Sequence, residues 1–331
     1  DQFWDELESA VEHDGKFRKK TCLHEGWTTY AFDESHRASL EPIEKAIRYR
    51  ADEAETLLRV ETQFGRHLDI TEHHSLFRYD DGIEEVAGAE LSEGDLIVAP
   101  RRLDFEPVSA TIDAAEYVED PYVFIDGEIE ALLTTVWRET ERGCDVRTAF
   151  DGGLSYRLSK NKIPLELLRD IVDTYGHGQV PKSMQIGLRG SSTGIDREIE
   201  VDEAFAWLLG MFVAEGSLSG TRPTIHNSDE TLVDRVVATA TSTLGTEPTV
   251  RWSNKSYEIA FPAVFRNVLY GLGFADLDAY RSSEKTIPDC ILRAPREVVL
   301  SFLRGFISGD GSEASDDNYT GISFHTTSDD V

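Results

Sequence analysis

Two stretches of this chain repeat one another and limit how it can fold: "LLGMFVAEGS" from residue 208 and "LRGFISGDGS" from residue 303. At a shift of 95 residues, Ala206, Gly210 and Ala214 fall over Ser301, Gly305 and Gly309. All six are small. A step of four residues returns to nearly the same face of a helix, so each stretch predicts a helix with a stripe on which almost nothing projects. Two such stripes let helix backbones approach to, or below, the ~8 Å end of ordinary interhelical distances. One residue beyond each stripe stands an acid, Glu215 and Asp310, followed in both cases by glycine and serine. The glycines, Gly216 and Gly311, are read as C-caps.

Packing the helices through these stripes brings two carboxylates together where the negative ends of both helix dipoles converge. Such a pair is costly unless neutralised, and a hard divalent cation with oxygen ligands, Mg2+ above all, is the expected partner. The alternative from the residues alone is a packed helix pair whose terminal acids are merely solvated.

Both stretches resemble the paired motif of LAGLIDADG homing endonucleases, with Glu215 and Asp310 at the family's metal-binding and catalytic acids. Arg304 and Ser308 depart from the family's usual residues. The resemblance covers about 200–331. It implies an αββαββα saddle with an incomplete second repeat, curved sheets lying in the DNA major groove, and cleavage of double-stranded DNA by metal-activated water. "EKTIPDCIL" (284–292) resembles the stretch before the second motif, which makes Lys285 a third catalytic candidate; an exposed loop lysine is its competing reading. Arg222, Arg251 and Lys255, on or beside candidate strands, are the expected DNA contacts. His226 and His325 occupy similar places after each motif and are read as structural.

Composition bears on the partner. The 62 acids against 33 bases give a net charge of −29, and only nine of the bases are lysine. This pattern suits a halophile, because near 1 M salt the Debye length falls to about 3 Å and screens the self-repulsion. Phosphate contact must then come from local basic clusters; "YRLSKNK" (156–162) is the notable one between residues 105 and 200. No run approaches the ~20 apolar residues of a membrane span and no signal peptide is visible, so a cytoplasmic monomer is expected. Cys22, Cys144 and Cys290 are too scattered for a CxxC pair and odd in number, and are read as reduced thiols.

The remainder divides by texture. Residues 27–104 carry short alternating runs separated by turn signals such as "DDG" and "SEGD", which predicts a compact all-β module. Residues 105–198 are mixed, with a helix expected over 163–176 and a linker over 187–194; residues 199–331 form the third region. An α+β chain follows, with helices also expected over 202–215, 227–245 and 297–309, and strands over 223–226, 248–253, 256–261 and 320–325.

"GRHLDITEHHSLF" (65–77), followed by "LSEGDLIVAP" (91–100), resembles the second splicing motif of inteins and its downstream strand, in the Hint fold shared with hedgehog autoprocessing domains. The match makes Thr71 and His74 splicing residues, the histidine hydrogen-bonding the scissile peptide. A nucleophile is missing: residue 1 is Asp1, and Cys22 lacks the family's usual flanking residues. The chain therefore reads as a fragment of something longer that does not itself splice, and a host protein flanking the intein is an implied partner.

The expectation is an intein-encoded, Mg2+-dependent DNA endonuclease within partial splicing halves. Its alternatives are a LAGLIDADG DNA-binding module that has lost catalysis, and a splicing-only relic.

Overall fold

The computed structural model describes the chain apart from residues 1–10, 15–17, 23–27, 34, 36, 44, 50–55, 64–66, 100–105, 141–152, 176–179, 182, 275–284, 317–318 and 325–331. It divides into two compact units, Asp1–Phe105 and Glu106–Val331.

The described residues of the first unit form strands and one short 3-10 turn, Gly88–Glu90. Its strands are β1 (Val11–Asp14), β2 (Arg18–Cys22), β3 (Thr28–Phe32), β4 (Ala38–Pro42), β5 (Lys45–Tyr49), β6 (Leu57–Glu61), β7 (His67–Thr71), β8 (Ser75–Tyr79), β9 (Ile83–Ala87) and β10 (Leu96–Ile97). They pair antiparallel as β1-β2-β5, β3-β4, β6-β7 and β10-β8-β9. Two- and three-stranded ribbons bury little, and Ile70 and Val86 are the buried hydrophobics of this unit among the described residues. Side-chain contacts add to this: Arg59 binds Asp69 across the β6–β7 pair with two parallel bonds of 2.8 Å, and Phe32 of β3 meets Phe77 of β8 edge to face at 4.6 Å.

The second unit holds the large core. It opens with β11 (Thr111–Asp113), β12 (Tyr122–Phe124), α1 (Gly127–Glu139), α2 (Leu154–Lys160), β13 (Lys162–Pro164), α3 (Leu165–Tyr175), β14 (Gln185–Gly187), β15 (Ile195–Asp196) and β16 (Glu198–Glu200). Then come α4 (Glu203–Glu215), β17 (Gly216–Ser217), β18 (Thr224–Asn227), α5 (Glu230–Leu244), β19 (Thr249–Ser253), β20 (Ser256–Ala260), α6 (Ala263–Gly271), α7 (Asp289–Leu292), α8 (Arg296–Asp310), β21 (Gly311–Asp316) and β22 (Tyr319–Phe324). Its sheets run β13-β12-β14-β15, β17-β18-β20-β19, β11-β16 and β21-β22.

Residue 198 is not a boundary between compact units. β11 pairs with β16 so that Asp113 faces Glu198, and Arg197 grips the Asp113 carboxylate through Nε at 3.0 Å and a terminal nitrogen at 2.5 Å. Burial pushes that carboxyl up, but the guanidinium and the Ala115 amide outweigh it and hold it below the ordinary value.

Nor is 187–194 a linker. Added Cβ atoms at Gly187 and Gly194 would lie 2.8 and 2.6 Å from the Phe124 ring, so these glycines are there for close packing of this loop's ends against β12. Lys162 Nζ crosses to the loop and donates to the carbonyls of Leu188, Arg189 and Ser191. The helix expected from 163 starts later, because Lys162–Pro164 pairs with β12 as a strand before α3 begins.

α4 runs through the middle of the core. Every residue from Phe205 to Val213 is buried, so the usual amphipathic contrast is absent. Asp202 caps its start, accepting from the Phe205 amide at 2.8 Å. The exposed α8 residues Leu300, Leu303 and Arg304 leave that helix covered on one side only.

Candidate metal centre at the paired helix ends

α4 and α8 pack against each other along the small-residue stripe. A Cβ at Gly210 would come within 2.7 Å of the Phe306 nitrogen and closer still to the Phe302 carbonyl oxygen. One at Gly305 would lie 2.9 Å from the Trp207 carbonyl carbon, and one at Gly309 would overlap the Ala214 methyl. Ser301, 6% exposed, donates its hydroxyl to the Glu203 carbonyl at 2.7 Å, and Ala206 is fully buried. All six stripe residues thus lie on helices in backbone contact, the three glycines at positions where any side chain would meet the partner helix.

The two helices end alike. The Gly216 amide bonds to the Phe212 carbonyl, and the Gly311 amide to that of Ile307. Both glycines are extended, at φ −80°, so they are not left-handed caps. Space explains them instead: a Cβ at Gly216 would lie 2.8 Å from Phe212 Cα, and one at Gly311 would lie 2.6 Å from Ile307 Cγ2.

Glu215 is half-buried and Asp310 exposed, with Lys285 beside them. Burial raises the Glu215 carboxyl above its ordinary value and the Asp310 charge adds to this, while Lys285 opposes it. Asp310 is raised by burial too, again against Lys285. Lys285 itself is driven below the ordinary lysine value by burial, against the pull of both acids. Its Nζ donates to the Val213 carbonyl at 2.8 Å and to the Phe212 carbonyl at 3.3 Å. The exposed-loop reading of this lysine is therefore replaced by a half-buried one, in which it caps the last turn of α4 and faces the acid pair.

Among the described residues no group of three or more acids, histidines or cysteines gathers as a metal shell. Two carboxylates, part-neutralised by one ammonium, suit a cation that takes one or two protein carboxylates and fills its remaining positions with water and phosphate oxygen, which is the habit of Mg2+. The donor set fits that ion and lacks the nitrogen and sulfur ligands that zinc prefers.

The expected DNA contacts fare differently. In the sheet carrying them, Ile225, Ile259 and Val250 lie in register on one face, and His226, Glu258 and Arg251 on the other. Arg251 is exposed on that second face, opposite Glu258, and Lys255 is exposed in the hairpin turn with Asn254, at φ 70° and 50°. Arg222 is not free: it donates to the carbonyls of Phe261 at 2.7 Å and Ala260 at 2.9 Å, fastening the start of β18 to the end of β20. The Pro223 carbonyl accepts from the Phe261 amide at 2.9 Å, so backbone and arginine together hold these strand ends, and no local pattern announces the arginine's part.

Thr71 ends β7 and His74 follows after a two-residue turn closed by the His74 amide on the Thr71 carbonyl at 3.0 Å. His74 is exposed, and its own carbonyl accepts from the Gly88 amide at 2.9 Å. His325 and Asp1 fall outside the described residues.

No family model matches the chain. It is 43% identical over 95% of its length to the DNA polymerase II large subunit of Haloquadratum walsbyi, of which it covers 14%. It is 25% identical over 86% of its length to a DNA polymerase of Thermococcus hydrothermalis, of which it covers 20%. A DNA-directed RNA polymerase subunit of Methanocaldococcus jannaschii is matched at 23% identity over 86% of the chain and 26% of that protein. The chain thus spans between 14% and 26% of the length of these relatives.

These relatives are named as polymerases, and that overturns the identification as an intein carrying a LAGLIDADG homing endonuclease. The endonuclease activity, the splicing roles of Thr71 and His74, the flanking host partner, and both alternatives, a lost-activity LAGLIDADG module and a splicing relic, are corrected with it. The physical reason lies in what the motif encodes. Small residues at a four-residue step, ended by an acid and glycine, describe how two helices touch and stop, and that geometry does not by itself specify a reaction.

Proposed function

We propose that this chain is a DNA-contacting module of a replication polypeptide similar to the DNA polymerase II large subunit, with a divalent-cation site at Glu215 and Asp310. The single observation that carries the cation site is the juxtaposition of these two acids and Lys285 at the joint end of α4 and α8. The relatives support a nucleic-acid partner, since a DNA polymerase II large subunit, a DNA polymerase and an RNA polymerase subunit are all named for work on templates. The chain covers 14% of the first of them, so the reading is confined to what these residues can bind.

Mg2+ at this site would neutralise the acid pair and offer open positions to phosphate oxygens of duplex DNA. Lys285, fixed on the carbonyls of the last turn of α4, faces the pair in the absence of the ion. Arg251 and Lys255 lie exposed on the neighbouring sheet and supply backbone contacts; Arg222 does not, being committed to carbonyls.

Calorimetric titration with Mg2+, repeated with Mn2+, tests the reading. One site is expected in the unmodified chain, with affinity falling at least about tenfold in Glu215→Gln and in Asp310→Asn, a loss of about 1.4 kcal/mol or more. Mg2+ should also tighten duplex DNA binding by the unmodified chain and not by either variant. Unchanged ion affinity in both variants removes the site. Scission of the DNA that depends on both acids would overturn a binding role and show a hydrolytic one.

A further inference from the structure

One basic stretch is left without a role by the cation site and its sheet. Residues 153–165 carry Arg157, Lys160 and Lys162 and no acid, in a chain of net charge −29. They form α2 and the turn that follows it. Gly153, at φ 87°, starts the helix, and left-handed Asn161 stops it after seven residues. Leu154 is buried and Leu158 half-buried against the core, which fixes the inward side. Ser155, Tyr156, Ser159 and Lys160 are consequently exposed together on the outward side.

Three features of this face point to a polyanion. Tyr156 is 45% exposed, and the Lys160 ammonium stands 5.6 Å from its ring centre, so an aromatic plane and a cation are presented side by side. Arg157, half-buried between the two sides, has an Nε shielded from solvent with no acceptor among the described residues, so turning outward to a phosphate would forfeit no bond at that atom. Lys162 is spent on the carbonyls of the 188–191 loop, which anchors the C-terminal end of α2 and leaves the other two bases for an external partner. With side chains a helix is about 10–12 Å across, which matches a major groove about 12 Å wide.

We propose that the outward face of α2 binds duplex DNA, the helix entering the major groove with Arg157 and Lys160 on phosphates and the hydroxyls of Ser155, Tyr156 and Ser159 within reach of base edges and backbone. The inference rests on the DNA-contacting reading above and is independent of the cation site.

The test is fluorescence anisotropy of a short mixed-sequence duplex with the whole chain, in EDTA, across a KCl series. Arg157→Gln/Lys160→Gln should weaken binding at least tenfold at the lowest salt and reduce the slope of log K against log salt by about 2, two phosphate contacts being lost. Lys160→Glu, on an exposed position, should weaken binding at least as much as its share of that loss. Unchanged affinity and slope in both α2 variants overturns the inference while the DNA-contacting reading stands. Absence of any duplex binding by the unmodified chain overturns both.

Discussion

Glu215 shows at the scale of one residue how the proposed cation ligand is held at the expense of stability. Its carboxyl is raised by burial and by the Asp310 charge, so in the window between its ordinary value, 4.5, and its higher folded value, the folded chain holds a proton that the unfolded chain releases. Stability without metal therefore falls as pH rises through that window, whereas Mg2+ affinity rises. Glu215→Gln removes the strain, and in EDTA at neutral pH it should raise the melting temperature by up to about 2 °C while flattening the pH dependence. Thermal melts with and without Mg2+ check this, and a variant that is less stable than the parent in EDTA would contradict it. The acid pair was legible from its letters alone. The lysine beside it was legible only as a candidate, because its bonds to Val213 and Phe212 join positions more than seventy residues apart.

The element that matters most is the α4–α8 pair. Its small stripe is a steric requirement, and Gly305→Ala tests it directly. Alanine would gain up to about 1 kcal/mol of helix propensity, yet its methyl must displace the Trp207 backbone, and overpacking of this kind costs about 1–3 kcal/mol or more. A net loss of about 2 kcal/mol is expected in chemical denaturation. Gly127 at the first position of α1 meets nothing within 4 Å, so Gly127→Ala should be neutral or slightly stabilising. Equal effects at the two glycines would show that close approach is not what glycine provides at 305. This contact was readable in advance because it is periodic within each helix. The strand at Lys162–Pro164 was not readable, since its three residues have no pattern of their own and are fixed by pairing with Tyr122–Phe124.

Over the whole molecule, the charge of −29 decides the conditions under which everything else operates. Repulsion among 62 acids is weakly screened in dilute buffer, where the Debye length is about 10 Å at 0.1 M, and strongly screened near 1 M. Lowering KCl from about 1 M to about 0.1 M should reduce the melting temperature by at least about 5 °C, and a salt-independent melt would show that the charge is not under strain. Among the described residues no helix is long and apolar enough to cross a membrane.

The sequence by itself determined what is local and periodic: the paired small stripes, the acid at the end of each helix, the short strands at Thr28–Phe32, Leu57–Glu61, His67–Thr71 and Ser75–Tyr79, and the surplus of negative charge. These are consequences of residue type and spacing, which neighbours along the chain are enough to express. Tertiary structure decided the rest: that Arg222 is a fastening and not a contact, that 187–194 is a packed loop tied by Lys162, and that α2 faces outward with its bases unspent. Each of these depends on which distant carbonyls and rings a side chain meets once the core has closed, and that information is spread over residues too far apart to form a pattern.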